Sequence, residues 1–143
     1  MTQEEKELLL KDVCGRLIYG VKIQTWYGEI VTADLNTFPY SMDEMDDEDM
    51  WDQFERTKPY LRSPSRSMTE EEKKYLSKKY VWHISCDQIQ IRYHSEGCWD
   101  DETECPTEEY IKLFDWLNSH HFDYRGLIEK GLAIEAPEDM YKN

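Results

Sequence analysis

The sequence predicts an α+β domain, a small and mainly antiparallel sheet packed by an N-terminal and a C-terminal helix. Three observations carry this expectation. Apolar residues recur at helical spacing near both ends, strand-like alternation occupies residues 20–35 and 80–93, and 143 residues suit one core. Residues 1–143 are therefore read as one domain, with irregular segments near 36–68 and 95–106.

The first helix is expected over residues 3–17. Thr2-Gln3-Glu4-Glu5 is a capping box, in which the Thr2 hydroxyl accepts from the Glu5 amide and Glu5 reaches back. Leu9, Leu10, Val13, Cys14 and Leu17 make its apolar face, so Cys14 reads as core. Gly20 lies beyond, where helices commonly stop. A hairpin follows: Val21, Ile23 and Thr25 alternate with polar neighbours, Tyr27-Gly28 turns the chain, and residues 30–35 return.

From Asp43 to Glu55 stand eight acids and no base, interleaved with Met45, Met50, Trp51 and Phe54. Pro59 and Pro64 break any long helix beyond them. Thr69-Glu70-Glu71-Glu72 is a second capping box, opening a short solvated helix in which Glu70 and Lys74 have the favourable i,i+4 order.

Residues 80–93 read as strand, but the apolar parity changes: Tyr80, Trp82, Ile84 and Cys86 come first, then Ile89, Ile91 and Tyr93. Such a change needs a bulge or a tight turn at Cys86-Asp87. Thr107 then caps a helix lined by Tyr110, Leu113, Phe114 and Leu117. Asp123 is expected to cap a last helix through Leu127 and Ile128, ended by Gly131, and Pro137 keeps the tail extended.

Composition narrows the function classes. Apolar residues make up 39% of the chain, yet 19 residues are aromatic and carry much burial each. No apolar stretch is long enough to span a membrane, and the acidic start does not resemble a secretory signal, so a cytoplasmic location is expected. Four cysteines are too sparse for a disulfide scaffold and read as free thiols. The net charge of −14 is uneven: residues 1–55 carry −10, residues 56–79 carry +5 and residues 80–143 carry −9. Such a field repels nucleic acid and anionic membrane and suits a basic protein partner.

Three blocks resemble a family of small uncharacterised bacterial proteins of gut anaerobes. They are Leu8–Asp12 running on to Tyr19–Lys22, then Lys58–Arg62 with Ser67–Lys73, and finally Trp116–Ile134. The resemblance implies a bacterial cytoplasmic protein and carries no activity, cofactor or binding residue. Position 18, where that family would place proline, holds Ile18, which lets the first helix run slightly longer.

Candidate sites are few. His83, Cys86, His94, Cys98 and Cys105 are five imidazole or thiol ligands within 23 residues, the kind zinc takes four at a time. Their spacings match no standard finger, and on a strand His83 and Cys86 would face opposite sides. His120, His121, Asp123 and Arg125 invite an acid–base reading, against the plainer one of a helix end followed by a cap. The acidic run lacks the glycine and spacing of a calcium loop. With apolar anchors among its acids, it instead makes Asp46, Asp47, Asp49, Met50, Trp51 and Phe54 a candidate partner-binding surface.

The basic stretch Arg56–Lys79 is a poor nucleic-acid footprint inside so acidic a chain, and it could pair with the acidic run. No nucleophile elbow, dinucleotide fingerprint or phosphate loop occurs. The expected role is a non-enzymatic acidic interaction or regulatory module, with no cofactor. The alternative is a metal-binding protein or enzyme using the His/Cys set, with zinc as the metal. Nothing in the sequence sets an oligomeric state.

Overall fold

The computed structural model of the chain describes residues 2–25, 27–33, 56–85, 88–93 and 107–141. Helix α1, Gln3–Arg16, begins at the expected capping box, with the Glu5 amide 3.1 Å from Thr2 Oγ1 and the Thr2 amide 2.9 Å from Glu5 Oε2. Its buried stripe is Leu9, Asp12, Val13 and Arg16, and Cys14 is exposed. The expected face is thus rotated, and Cys14 is not core. The cause is electrostatic: Asp12 and Arg16, one turn apart, neutralise each other and can be buried as a pair.

A 3₁₀ turn at Leu17–Tyr19 extends the helix, and Gly20 ends it in the left-handed region at φ 71°. Strands β1, Lys22–Gln24, and β2, Ile30–Thr32, then pair antiparallel with Ile23 opposite Val31. The Thr25 amide closes the hairpin onto Glu29 O at 2.8 Å.

Of the stretch 36–68, expected to be irregular, the structure describes residues 56–68, and these hold a strand and a helical turn. Strand β3, Lys58–Leu61, lies inside the sheet, antiparallel to β1 with Pro59 opposite Ile23. Its other neighbour is a short parallel strand, β6, Ile134–Glu135, which pairs with Tyr60 and Leu61, beyond the proline. The order is β2-β1-β3-β6, a mixed and mostly antiparallel sheet. Residues 80–93 do not join it. Strands β4, Tyr80–Ser85, and β5, Gln88–Tyr93, form a separate antiparallel ladder. The register runs without a bulge from Tyr80 opposite Tyr93 to Ser85 opposite Gln88, and residues 86 and 87, where the parity changes, lie outside the described residues.

Between β3 and β4 stand α2, Pro64–Ser67, with proline in its first turn, and α3, Glu70–Lys79, opened by the second capping box. Glu70 pairs with Lys73 at 3.2 Å rather than with Lys74. Helix α4, Thr107–Ser119, buries Leu113 and Leu117, while Tyr110 and Phe114, expected on the same face, are largely exposed.

Two apolar clusters result among the described residues. Leu9 and Val13 of α1 pack on Val21, Ile23 and Leu61 of the sheet region, closed below by Leu127 and Leu132. The second gathers Leu76, Leu113, Leu117 and Met68 around Phe122, where α3 and α4 meet. Each fully buried aliphatic side chain contributes roughly 1.5–3 kcal/mol. The last helix expected after Asp123 is instead a series of turns. Asp123 holds the Leu127 and Ile128 amides at 2.8 and 3.0 Å, but the following bonds are irregular. Among the described residues no helix is long and apolar enough to cross a membrane.

Candidate functional site

A groove of about 680 Å³ lies between the start of α3, the end of α4 and the C-terminal tail. Arg62, the residue after β3, organises its floor. The backbone of Arg62 bridges to the loop after α4, donating to His121 O at 2.7 Å and accepting from the Asp123 amide at 2.9 Å.

The Arg62 guanidinium takes both carboxylate oxygens of Glu72 at 2.8 and 2.7 Å. It also donates to His120 O at 3.1 Å and Ser67 O at 2.7 Å, and lies 4.3 Å above the Phe122 ring. Glu72 is meanwhile the reciprocal half of the capping box, accepting from the Thr69 amide at 2.8 Å. Burial pushes its carboxyl up, but the bonds from Arg62 and Thr69 outweigh this and hold it below its ordinary value. Such a bidentate pair is geometrically specific as well as strong.

His120 borders the groove. Its Nδ1 lies 2.9 Å from Trp116 O, a contact that places a proton on Nδ1, and its Nε2 stands 4.0 Å from Glu72 Oε2. The next residue ends α4 in a Schellman turn: the His121 amide donates to Asn118 O and the Phe122 amide to Leu117 O. His121 takes the left-handed position usually given to glycine, at φ 61°. Its ring stacks on Tyr141 at 3.7 Å between centroids, and Nδ1 is buried with no hydrogen-bond partner. Burial, with the Arg16 and Arg62 charges, lowers its pKa to about 4.

Tyr141 fastens the tail to the sheet. Its hydroxyl donates to Tyr60 O at 2.7 Å and accepts from the Lys22 amide at 2.9 Å. Burial pushes the phenol up to about 12. Arg66 adds a second tie, reaching Glu135 at 2.7 Å on the groove wall.

A second polar cluster lies under α1. Arg16 donates to Asp12 at 2.9 and 3.1 Å and to Phe122 O at 2.6 Å, and both side chains are fully buried. Arg125 approaches Asp12 at 3.3 Å, and both guanidiniums lie 5.2 Å from the Tyr124 ring.

Two of the four residues weighed for acid–base work, Asp123 and Arg125, are engaged elsewhere. Arg125 belongs to Asp12, and Asp123 serves two backbone amides, its carboxyl raised by burial despite them. Among the described residues no His–Asp hydrogen bond forms. Three members of the basic stretch are paired among the described residues, Arg62 with Glu72, Arg66 with Glu135 and Lys73 with Glu70.

Of the candidate metal ligands, His83 is on β4 opposite Gln90, while Cys86, His94, Cys98 and Cys105 lie outside the described residues. The candidate partner surface, Asp46, Asp47, Asp49, Met50, Trp51 and Phe54, lies outside them as well. Among the described residues no group of three or more His, Cys, Asp or Glu side chains is placed to hold a metal.

The residues that sequence reasoning missed are Arg16 and Arg62. The i,i+4 spacing of Asp12 and Arg16 was a legible signal for the first. Nothing local marks Arg62 as the partner of Glu72. No family model, curated protein or solved structure matches the chain.

Proposed function

We propose that this chain is a non-enzymatic, cytoplasmic protein-interaction or regulatory module whose acidic surface meets a basic partner. One observation carries the reading. Arg16, Arg62, Arg66 and Arg125 are each held by a carboxylate of the chain itself, in a molecule of net charge −14. These four guanidiniums are engaged internally, and the net charge of the chain is acid. Such a field raises the encounter rate with a basic surface and discriminates against nucleic acid.

The test is capture from bacterial lysate at low salt, with elution along a salt gradient and identification by mass spectrometry. A basic protein should elute at moderate salt. Its affinity, remeasured with purified components, should fall between about 50 and 300 mM salt as the Debye length shrinks below about 10 Å. An affinity unchanged over that range removes the proposal. A stoichiometric metal in untagged protein would instead transfer the assignment to His83, Cys86, His94, Cys98 and Cys105.

A further inference from the structure

We infer that the C-terminal tail, residues 134–141, is an acid-released strap: a proton taken up by His121 unseats Tyr141 and frees the edge of β3. The strap is independent of the interaction reading above.

Strand β6 fastens one end of the tail and Tyr141 the other. β6 is two residues long, and just beyond it the Ala136 amide donates to Leu61 O at 2.7 Å. Pro137, Glu138 and Asp139 are exposed, so apolar burial adds little between the two fastenings. Tyr141 closes the strap, its hydroxyl answering Tyr60 O and the Lys22 amide while its ring lies on His121 at 15° between planes. Release would uncover the backbone of Tyr60 and Leu61 as an open strand edge. It would also remove the wall of the groove formed by Glu135, Ala136, Pro137, Glu138 and Tyr141.

The seat of His121 suits only a neutral ring. The residue is 7% exposed, and its Nδ1 is buried without a partner. An unpaired ring nitrogen forfeits a hydrogen bond there, whereas an imidazolium would bury a full charge. The charges that act on it are positive: Arg16 from α1, Lys22 from β1, Arg62 after β3 and the neighbouring His120. Carboxylates on the surrounding elements are committed, Asp12 to Arg16, Glu72 to Arg62, Asp123 to two amides and Glu135 to Arg66. Glu138 and Asp139 face solvent on the tail, and the Tyr141 phenol, pushed up to about 12, stays neutral. A charged ring therefore leaves its seat, and the group stacked on its face is Tyr141, so the two separate.

The sign follows from linkage. His121 takes a proton near 6.5 when released and near 4 when seated, so acid favours the open strap. Opening should rise about eightfold between pH 7 and pH 5.5.

The test is amide hydrogen exchange of the full chain at those two pH values, both above the ordinary carboxylate range, corrected for intrinsic exchange. The Ala136 and Lys22 amides report the strap, and the Ala33 amide, bonded to Val21 O at 2.8 Å, reports the β2 side of the sheet. Protection at Ala136 and Lys22 should fall about eightfold at pH 5.5 while Ala33 is unchanged. In His121→Asn and in His121→Gly, both suited to φ 61°, the ratio between the two pH values should stay near one. His120→Gln, which removes the neighbouring imidazole, should keep the full fall. Constant protection at Ala136, or an equal fall at Ala33, overturns the strap. The same fall in the His121 variants, or its loss in His120→Gln, overturns His121 as the group that releases it.

Discussion

Arg62 and Glu72 meet through both carboxylate oxygens, at 2.8 and 2.7 Å, and the same carboxylate closes the capping box that starts α3. One ion pair thus couples the end of β3 to the beginning of a helix eight residues further on. Arg62→Met leaves Glu72 largely buried without its partner and should cost about 3 kcal/mol, near the lower end for breaking a buried pair. Arg66→Ala, at an ion pair with side chains 48% and 41% exposed, should cost about 1 kcal/mol or less. Urea unfolding of the two variants checks the contrast, and equal losses would refute it.

Asp12 and Arg16 are buried together, so each is costly to lose alone. Arg16→Met should destabilise by about 3–5 kcal/mol because Asp12 keeps its charge in the core. The double variant Asp12→Leu with Arg16→Met should recover part of that loss, Arg125 turning to solvent. A double-mutant cycle reads the coupling, and strictly additive losses would show that the pair does not act as a unit.

His121 makes stability depend on pH. Its pKa is lowered to about 4 in the fold and lies near 6.5 when unfolded, so the unfolded chain takes the proton first. The contribution is complete above about pH 6.5 and is lost as pH falls toward 4, up to about 3 kcal/mol. Asp123, raised by burial, works in the opposite sense at the acid end, and Glu72, lowered, adds its own loss there. The comparison is therefore wild type against His121→Asn, a residue that tolerates the left-handed position. Urea midpoints at pH 7 and pH 4.5 should differ more for wild type, and parallel losses would exclude His121 as the source.

Tyr141→Phe removes the hydroxyl that answers the Lys22 amide and Tyr60 O, while keeping the ring on His121. Leaving those groups unanswered should cost about 1–3 kcal/mol. Release of the tail should appear as faster hydrogen exchange at the Ala136 amide, which donates to Leu61 O at 2.7 Å. Unchanged exchange there would mean that β6 pairing alone holds the tail.

The two capping boxes, the first hairpin and the extent of α4 were legible because each depends on residues within a few positions of one another. Cys14 and Arg16 were not. Hydrophobic spacing assigns a cysteine to the core and an arginine to water, and only the meeting of Arg16 with Asp12 and Phe122 O reverses both. Pro59 was read only as a helix breaker inside an irregular stretch, yet β3 carries it within the sheet, where pairing with β6 begins at Tyr60.

Local chemistry in the chain therefore settles where helices begin, where the first hairpin turns and how acid the molecule is. The order of the sheet and the exclusion of 80–93 from it come from long-range contacts. So does a groove assembled from residues 62–72, 120 and 135–141. The physical reason is the range of the interactions. Caps and turns are satisfied within one turn of chain, whereas a buried charge is tolerable only where its partner arrives from elsewhere in the fold.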